Sequence, residues 1–176
     1  MRRLVLFVAL FAGATAVGGE SKSKSKAPEA TAPAAATPAA NPAAGTTPTP
    51  DAIAAYREAE MMAIAKTFKA MSMISKGEVL RPQGEFIGHA EALHNLSLDL
   101  VSQYPAGTAH GEAKSEASPA IWTDAAGFAA AAAAFETATA EVLAAAKISD
   151  NEAVKTGMGA IGQSCGGCHE KFRLED

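Results

Sequence analysis

The stretch Cys165-Gly166-Gly167-Cys168-His169, near the end of the chain, places two thiols three residues apart and an imidazole directly after them. This Cys-x-x-Cys-His spacing is the attachment pattern of c-type haem. Residues three apart on a helix share one face, so both thiols can form thioethers with the two vinyl groups of one porphyrin. The imidazole of His169 can then bind the haem iron as a proximal ligand. The pattern therefore predicts one haem c per chain, covalently bound by Cys165 and Cys168.

Two other kinds of site use the same residue types. A Cys-x-x-Cys pair can be a redox dithiol, but such a pair is expected beside a βαβ unit, and nothing in this sequence resembles strands alternating with helices. A structural zinc site needs four ligands, commonly with a second Cys or His pair at short spacing. The other histidines, His89, His94 and His110, lie far upstream and form no such pair. Haem is the favoured interpretation, and a haem-free dithiol protein is the remaining alternative.

The composition favours an all-α domain. The 176 residues are 6% aromatic and rich in alanine, and long stretches contain few β-branched residues, which suits helices better than sheets. Residues 51–176 carry ten basic and seventeen acidic side chains. Binding to nucleic acid needs a basic face, so we expect no nucleic-acid partner. A basic patch on a redox partner protein could dock on this acidic domain, although the sequence does not identify that partner.

The N-terminus has the pattern of a secretory signal peptide. Arg2 and Arg3 precede an apolar run at 4–11, and the small residues at 14–16 form a cleavage site. The apolar run is shorter than the roughly 20 residues that span a bilayer. We therefore interpret residues 1–16 as a cleaved signal peptide and predict a periplasmic protein, with an uncleaved membrane tether as the alternative.

A low-complexity segment separates this signal from the predicted domain. Residues 17–50 hold six of the nine prolines and alternate Ser with Lys before turning to Ala, Pro and Thr. Such a segment buries too little apolar surface to fold and predicts an Ala/Pro-rich disordered linker. The folded domain is accordingly predicted at residues 51–176.

Four helices are predicted within this domain. Proline in the first turn and glycine just past the last turn delimit the first helix, aspartate caps the third, and Ser149-Asp150-Asn151-Glu152 fits a capping box for the fourth. The predicted helices cover residues 51–76, 85–103, 124–147 and from about 150 onward. Because four antiparallel helices with short connections form an up-down bundle that binds cofactors in its core, we predict a four-helix bundle with haem near the C-terminal helix.

The apolar spacing places the haem motif on the inward face of the last helix. Five glycines in that helix, at 157, 159, 162, 166 and 167, are interpreted as room for the porphyrin, or else as the mark of a frayed or kinked helix. On the second helix, the residues predicted to share the core face are Phe86, Ala90, Leu93, Leu100 and Val101. On the first helix, Arg57 falls within an otherwise apolar inward arc. A charge there needs a partner, either a haem propionate or water at the surface.

The sequence resembles the class II c-type cytochromes, the family of the cytochromes c′ and their low-spin relatives. The resemblance covers about residues 50–175, and its most specific feature is the C-terminal position of the haem motif. The matching motifs are Ala55-Tyr56-Arg57, Ser75-Lys76-Gly77-Glu78, Pro119-Ala120-Ile121-Trp122 and the run from Ile161 to Arg173. The segment at 17–50 has no counterpart in the family's usual short mature N-terminus.

The resemblance implies roles for individual residues. His169 would be the proximal iron ligand, and Cys165 and Cys168 the thioether residues. Arg173 would lie near the proximal haem face and Arg57 near a propionate. Met61 occupies the distal position, where low-spin members use methionine as the sixth iron ligand and cytochromes c′ carry a shielding apolar residue.

Two functions follow from these two forms of the distal site, and neither is enzymatic. A methionine-ligated iron suits a carrier of single electrons, which is our first expectation because a thioether ligand raises the potential. An open iron suits a cytochrome c′ that binds nitric oxide or carbon monoxide. Family members also form homodimers through the first two helices, and here Met62 and Met73 are predicted to lie on the outer face of the first helix.

Overall fold

The computed structural model describes residues 47–77 and 82–174, and within these ranges the fold is helical without strands. The predicted signal peptide and residues 17–46 of the predicted linker lie outside the described residues. The helices are α1 (Pro50–Ser75), α2 (Gln83–Ser97), α3 (Ala120–Thr123), α4 (Ala125–Lys147) and α5 (Asn151–Phe172), with a 3-10 turn at Leu100–Gln103. The four long helices form the predicted four-helix bundle, in which α4 packs against α2 and α5, and α1 packs against α2 and α5.

Local sequence signals set most helix ends where they were predicted. Thr49 caps α1 by accepting a hydrogen bond from the Ala52 amide at 3.2 Å, and Pro50 occupies the first turn. Gly77, which follows α1, adopts a φ of 72°, a conformation that glycine tolerates without strain. Asp124 caps α4 by accepting from the Gly127 amide at 3.1 Å.

The cap of α5 differs by one residue from the predicted capping box. Asp150, rather than Ser149, accepts the hydrogen bond from the Ala153 amide at 3.0 Å. Ser149 has a φ of 61°, and its hydroxyl oxygen accepts from the Gln83 side-chain amide at 2.7 Å instead. The reversal of the chain between α4 and α5 thus uses Ser149 as a turn residue and leaves Asp150 to cap the helix.

The second helix is shorter than predicted. It ends at Ser97, Leu98 is extended, and Asp99 adopts a left-handed φ of 57° before the 3-10 turn. The Ser97 hydroxyl donates to the His94 carbonyl at 2.6 Å, a local bond that competes with helix continuation. As a result Leu100 is buried, whereas Val101 is 46% exposed, so the prediction that Val101 lies on the core face is wrong.

The main core lies between the four long helices, and its most deeply buried apolar residues come from all of them: Met71, Leu93, Val142 and Ile161. Gly157 serves this core, because a Cβ at that position would lie 2.5 Å from a methyl carbon of Val142 on α4. The interpretation of Gly157 as room for a porphyrin is therefore wrong, and α5 is continuous rather than frayed.

A smaller aromatic core lies at the α3 side of the bundle. Phe128 packs edge-on against Tyr104 at 4.9 Å and against Phe172 at 5.3 Å between ring centroids, and Ile121 is buried with them. The Trp122 indole donates to the carbonyls of Tyr104 and Pro105 and so ties α3 to the chain after the 3-10 turn. This core forms the floor of the site described next.

Candidate haem site

A cleft of about 750 Å³ contains most of the residues singled out in the sequence. Its volume is within the range typical of small-molecule and cofactor sites. Helix α1 contributes Arg57 and Met61, and α5 contributes Cys168 and His169, followed by Arg173 just past its end. The remaining walls come from the 3-10 turn, the loop at 105–119 and the aromatic core.

The two cysteines are free, half-buried thiols on the continuous helix α5. Cys165 packs against the main core and Cys168 against the aromatic core. Burial raises the pKa of both thiols, and for Cys168 the neighbouring Cys165 adds to the effect. Redox-active dithiols instead lower the pKa of their attacking thiol, so this environment argues against the haem-free dithiol alternative.

His169 lies one residue beyond Cys168 and lines the cleft. Partial burial lowers the pKa of His169, the charge of Arg173 lowers it further, and Glu116 opposes both effects. A lowered pKa favours the neutral imidazole, which is the form that binds a metal. The environment of His169 thus suits an iron ligand.

Met61 reaches the same cleft from α1. Its side chain is half-buried and packs against the main core, while part of it lines the cleft. The neighbouring Met62 is 66% exposed, as predicted for the outer face, whereas Met73 is half-buried rather than exposed. Of the three, Met61 alone combines core packing with a place in the wall of the cleft.

Arg57 is buried, with 3% of its surface exposed, so the interpretation that it extends to the surface is wrong. Its guanidinium donates to the Thr108 hydroxyl at 2.9 Å, the Thr108 carbonyl at 2.8 Å and the Ser115 hydroxyl at 3.0 Å. It also lies over the Tyr104 ring, 4.6 Å from the centroid. These bonds leave Nε and one Nη1 hydrogen of the five donors for a further acceptor.

Arg173 joins the end of α5 to the loop at 105–119. Its Nε donates to a Glu116 carboxylate oxygen at 2.7 Å. Two backbone bonds flank this pair, because the Ser118 amide donates to the Phe172 carbonyl and the Leu174 amide to the Glu116 carbonyl. Arg57 on α1 and Arg173 just past the end of α5 therefore bond the same loop beside the cleft.

The sequence alone did not identify the aromatic and loop residues of the cleft. Tyr104, Phe128 and Phe172 line it together with the loop residues His110 and Ser115. Phe172 lies three residues after His169, but no local spacing relates the loop to the haem motif. His94 lies elsewhere, with its Nδ1 3.1 Å from the Thr139 hydroxyl between α2 and α4.

These residues fit a covalently bound haem. Two unpaired thiols lie three positions apart on one helix, an imidazole follows them, and the adjoining cleft offers apolar and aromatic walls with an arginine that retains free donors. In contrast, no group of three or more His, Cys, Asp or Glu side chains that could hold a metal ion occurs in the described part of the chain. A porphyrin is therefore a group that the thiols, the imidazole and the apolar cleft could hold together.

Comparisons with known proteins agree with this interpretation. The model of the cytochrome c′ family matches residues 52–173. The cytochrome c′ of Pararhodospirillum photometricum is 36% identical over 125 residues, which are 71% of this chain and 98% of the relative.

Two solved structures of cytochrome c prime variants from Alcaligenes xylosoxidans have the same fold. The nitric oxide complex of one variant has a TM-score of 0.68 at 27% identity and covers 74% of this chain and 100% of its own. A carbon monoxide-bound variant has a TM-score of 0.67 at 28% identity with the same coverage.

The fold and the site thus define a c-type haem protein built on a four-helix bundle. This chain belongs to the cytochrome c′ family, and its cofactor is haem c.

Proposed function

We propose that this protein binds a diatomic gas, nitric oxide or carbon monoxide, at the iron of a haem held in the cleft. The observation that carries the proposal is the packing of Met61, whose half-buried side chain contacts the main core, and in this proposal it shields the iron rather than binding it. The two related structures solved with nitric oxide and carbon monoxide support this choice over simple electron transfer.

Each protein group has a defined task in this proposal. The thiols of Cys165 and Cys168 form the thioether bonds, and the neutral imidazole of His169 binds the iron. The free N–H donors of Arg57 bind a propionate, and Arg173 fixes the loop beside the proximal face. When bound, the haem supplies an iron that changes between ferric and ferrous states and takes a gas ligand. The aromatic core and Met61 exclude water from that iron.

Electron transfer is the second candidate, because Met61 also lines the cleft. A methionine ligand would close the iron and raise its potential, as our first expectation from the sequence required. The two candidates differ in whether the distal position is free, and that difference is measurable.

The deciding experiment is the absorption spectrum of the haem-loaded protein, oxidised and reduced, with and without carbon monoxide. We expect a high-spin spectrum that shifts when carbon monoxide is added. A low-spin spectrum that carbon monoxide leaves unchanged would overturn gas binding and identify an electron carrier. Absence of covalent haem would contradict both.

Replacing Met61 separates packing from ligation. In Met61→Ala we expect the same spin state as in the wild type and a free energy of unfolding lower by about 2 kcal/mol. Ile74→Ala, on the same helix, is the matched control for lost packing, because Ile74 is half-buried against the same core and lies outside the cleft. Conversion from low to high spin in Met61→Ala alone would show that Met61 binds the iron.

The location of the protein is part of the same proposal. We infer that residues 1–16 direct export to the periplasm and are then removed, so that residues 17–50 do not hold the domain at the membrane. Cell fractionation combined with the mass of the mature chain tests this inference. A chain that retains residues 1–16 in the membrane fraction would contradict it.

A further inference from the structure

Tyr104 lines the haem cleft with a hydroxyl group that the fold leaves without a partner. Its hydrogen bonds to described residues are made by its backbone, whose amide donates to the Val101 carbonyl and whose carbonyl accepts from the Trp122 indole. The fully enclosed orphan oxygens of the described chain belong to Glu60 and Gln103. The phenolic oxygen of Tyr104 is therefore not enclosed by protein, and a ligand in the cleft can contact it.

The ring of Tyr104 is held from several sides. The guanidinium of Arg57 lies over one face, 4.6 Å from the ring centroid. Phe128 packs against the ring edge-on at 4.9 Å, and the tilted Trp122 ring lies 6.4 Å away between centroids. A side chain that is locked by packing in this way presents its polar group in a fixed position.

The hydroxyl lies between the two helices that carry the haem-binding residues. The charges of Arg57 and Glu60 on α1 and of Cys168 on α5 all act on the pKa of Tyr104, so its hydroxyl is within electrostatic reach of both helices. Met61 directly follows Glu60 on α1, and His169 directly follows Cys168 on α5. The hydroxyl thus faces the part of the cleft between the shielding methionine and the haem attachment site.

The surroundings of Tyr104 make it a neutral hydrogen-bond donor. Burial raises the pKa of Tyr104, and the charge of Arg57 only partly opposes this effect, so the phenol keeps its proton at physiological pH. The neighbouring walls of the cleft, Phe128 and Phe172, are apolar. A carboxylate such as a haem propionate forms stronger hydrogen bonds with the charged donors of Arg57. The uncharged hydroxyl suits a small neutral ligand better.

Resting on the gas binding proposed above, we propose that the Tyr104 hydroxyl donates a hydrogen bond to the diatomic gas at the iron. Ferrous iron shifts electron density onto a bound gas, so the outer atom of the gas becomes an acceptor. Hydrogen-bond donors beside the iron are among the features that decide how a haem protein treats its ligand. Tyr104 therefore sets how long the gas is retained, while Met61 shields the site.

Infrared spectroscopy of the reduced, haem-loaded protein with carbon monoxide, in H₂O and in D₂O, tests this proposal. A hydrogen bond to the oxygen of carbon monoxide lowers the C–O stretching frequency, and exchange of its proton for deuterium shifts the band. We expect such a shift in the wild type. In Tyr104→Phe we expect a higher frequency, no deuterium shift and severalfold faster dissociation of carbon monoxide.

The second tyrosine of the chain supplies the matched control. Tyr56 lines a smaller cavity, of about 370 Å³, that shares no lining residue with the haem cleft, and its hydroxyl donates to Glu60. Tyr56→Phe removes the same group and should keep the wild-type C–O band and dissociation rate. Because the Tyr104 hydroxyl has no partner in the fold, Tyr104→Phe should unfold at the same urea concentration as the wild type.

The outcomes separate this proposal from the function on which it rests. A wild type that binds no carbon monoxide would contradict gas binding and the role of Tyr104 together. A carbon monoxide complex whose band is the same in Tyr104→Phe and indifferent to D₂O would overturn the role of Tyr104 alone. An unchanged band with a shifted midpoint potential in Tyr104→Phe would also overturn it, because the hydroxyl would then bind a propionate.

Discussion

Arg57 shows how this fold accommodates a charge on a core face. Burial lowers the pKa of Arg57, and no described carboxylate forms an ion pair with it. Its cost of desolvation is offset instead by three hydrogen bonds to Thr108 and Ser115 and by the face of Tyr104. The guanidinium therefore fixes the loop that closes the cleft, whether or not a propionate is also bound.

Replacing Arg57 by methionine should show this structural role. Hydrogen bonds to a charged donor contribute about 1.5–3 kcal/mol each, and part of the loss is regained because the charge is no longer buried. We expect Arg57→Met to lower the free energy of unfolding by about 2 kcal/mol in urea denaturation. Lys69→Met, at an exposed position of α1, should change it by less than about 0.5 kcal/mol. Equal effects of the two variants would contradict the role given to Arg57.

Residues that act through local chemistry could be predicted from the sequence, and residues that act through distant contacts could not. The spacing of Cys165, Cys168 and His169 within five residues indicates that all three bind one haem. The inward direction of Arg57 followed from helical periodicity. Its partners Thr108 and Ser115, however, lie 51 and 58 residues away in an irregular loop, and no periodic signal relates them to α1.

The Tyr56–Glu60 pair gives stability that depends on pH. The hydrogen bond to Glu60, together with burial, raises the pKa of Tyr56 from 10.0 to about 12. A phenol whose pKa is raised by folding stabilises the protein fully below pH 10, and this contribution is lost as the pH rises through about 12.

We therefore expect Tyr56→Phe to be less stable than the wild type at pH 8 by about 1–2 kcal/mol, the contribution of a hydrogen bond to a charged acceptor. This difference should shrink between pH 10 and pH 12, because the wild type loses the same bond when Tyr56 ionises. Urea unfolding of both proteins across this range measures it. A stability difference between the two proteins that stays constant up to pH 12 would show that ionisation of Tyr56 does not remove its contribution to stability.

Among whole elements, the helices with strong end signals were predicted well and the second helix was not. Pro50, Gly77 and Asp124 act within one turn of the backbone that they terminate, so their effect can be recognised locally. The end of α2 depends on Ser97, whose hydroxyl lies 2.9 Å from the Thr139 hydroxyl on α4. The break thus combines the local bond from Ser97 to the His94 carbonyl with a contact between helices, and the sequence around Asp99 contains neither proline nor glycine that would predict it.

The start of α5 allows a direct test between two capping residues. Asp150 accepts from the Ala153 amide, whereas the Ser149 hydroxyl contacts only the Gln83 side chain. Loss of an N-cap costs about 1 kcal/mol, so Asp150→Ala should lower the free energy of unfolding by about that amount. Ser149→Ala should cost less than half as much in the same thermal or urea experiment. A larger loss of stability in Ser149→Ala than in Asp150→Ala would show that Ser149 is the N-cap, as the predicted capping box required.

At the scale of the whole molecule, the bundle separates two cavities along one helix. On α1, Arg57 and Met61 line the haem cleft, while Tyr56 and Glu60 line the smaller cavity. This division arises because residues one position apart are rotated by about 100° around a helix. The all-α bundle and its C-terminal haem position could be predicted from periodicity and one motif. The second cavity could not, because it depends on where the break after α2 places Gln103.

The exposed side of α1 is where we expect two copies of this chain to meet. Met62 is 66% exposed, and the neighbouring Ala55 and Ala59 are exposed as well, so another helix could approach this face closely. A lysine in the middle of such a contact would have to be buried or hydrated. Ala59→Lys should therefore convert a dimer into a monomer in sedimentation equilibrium of the haem-loaded protein. Ala130→Lys, on an exposed part of α4, introduces the same charge and should leave the dimer intact. A wild type that sediments as a monomer, or a dimer that persists in Ala59→Lys, would show that this face of α1 does not pair.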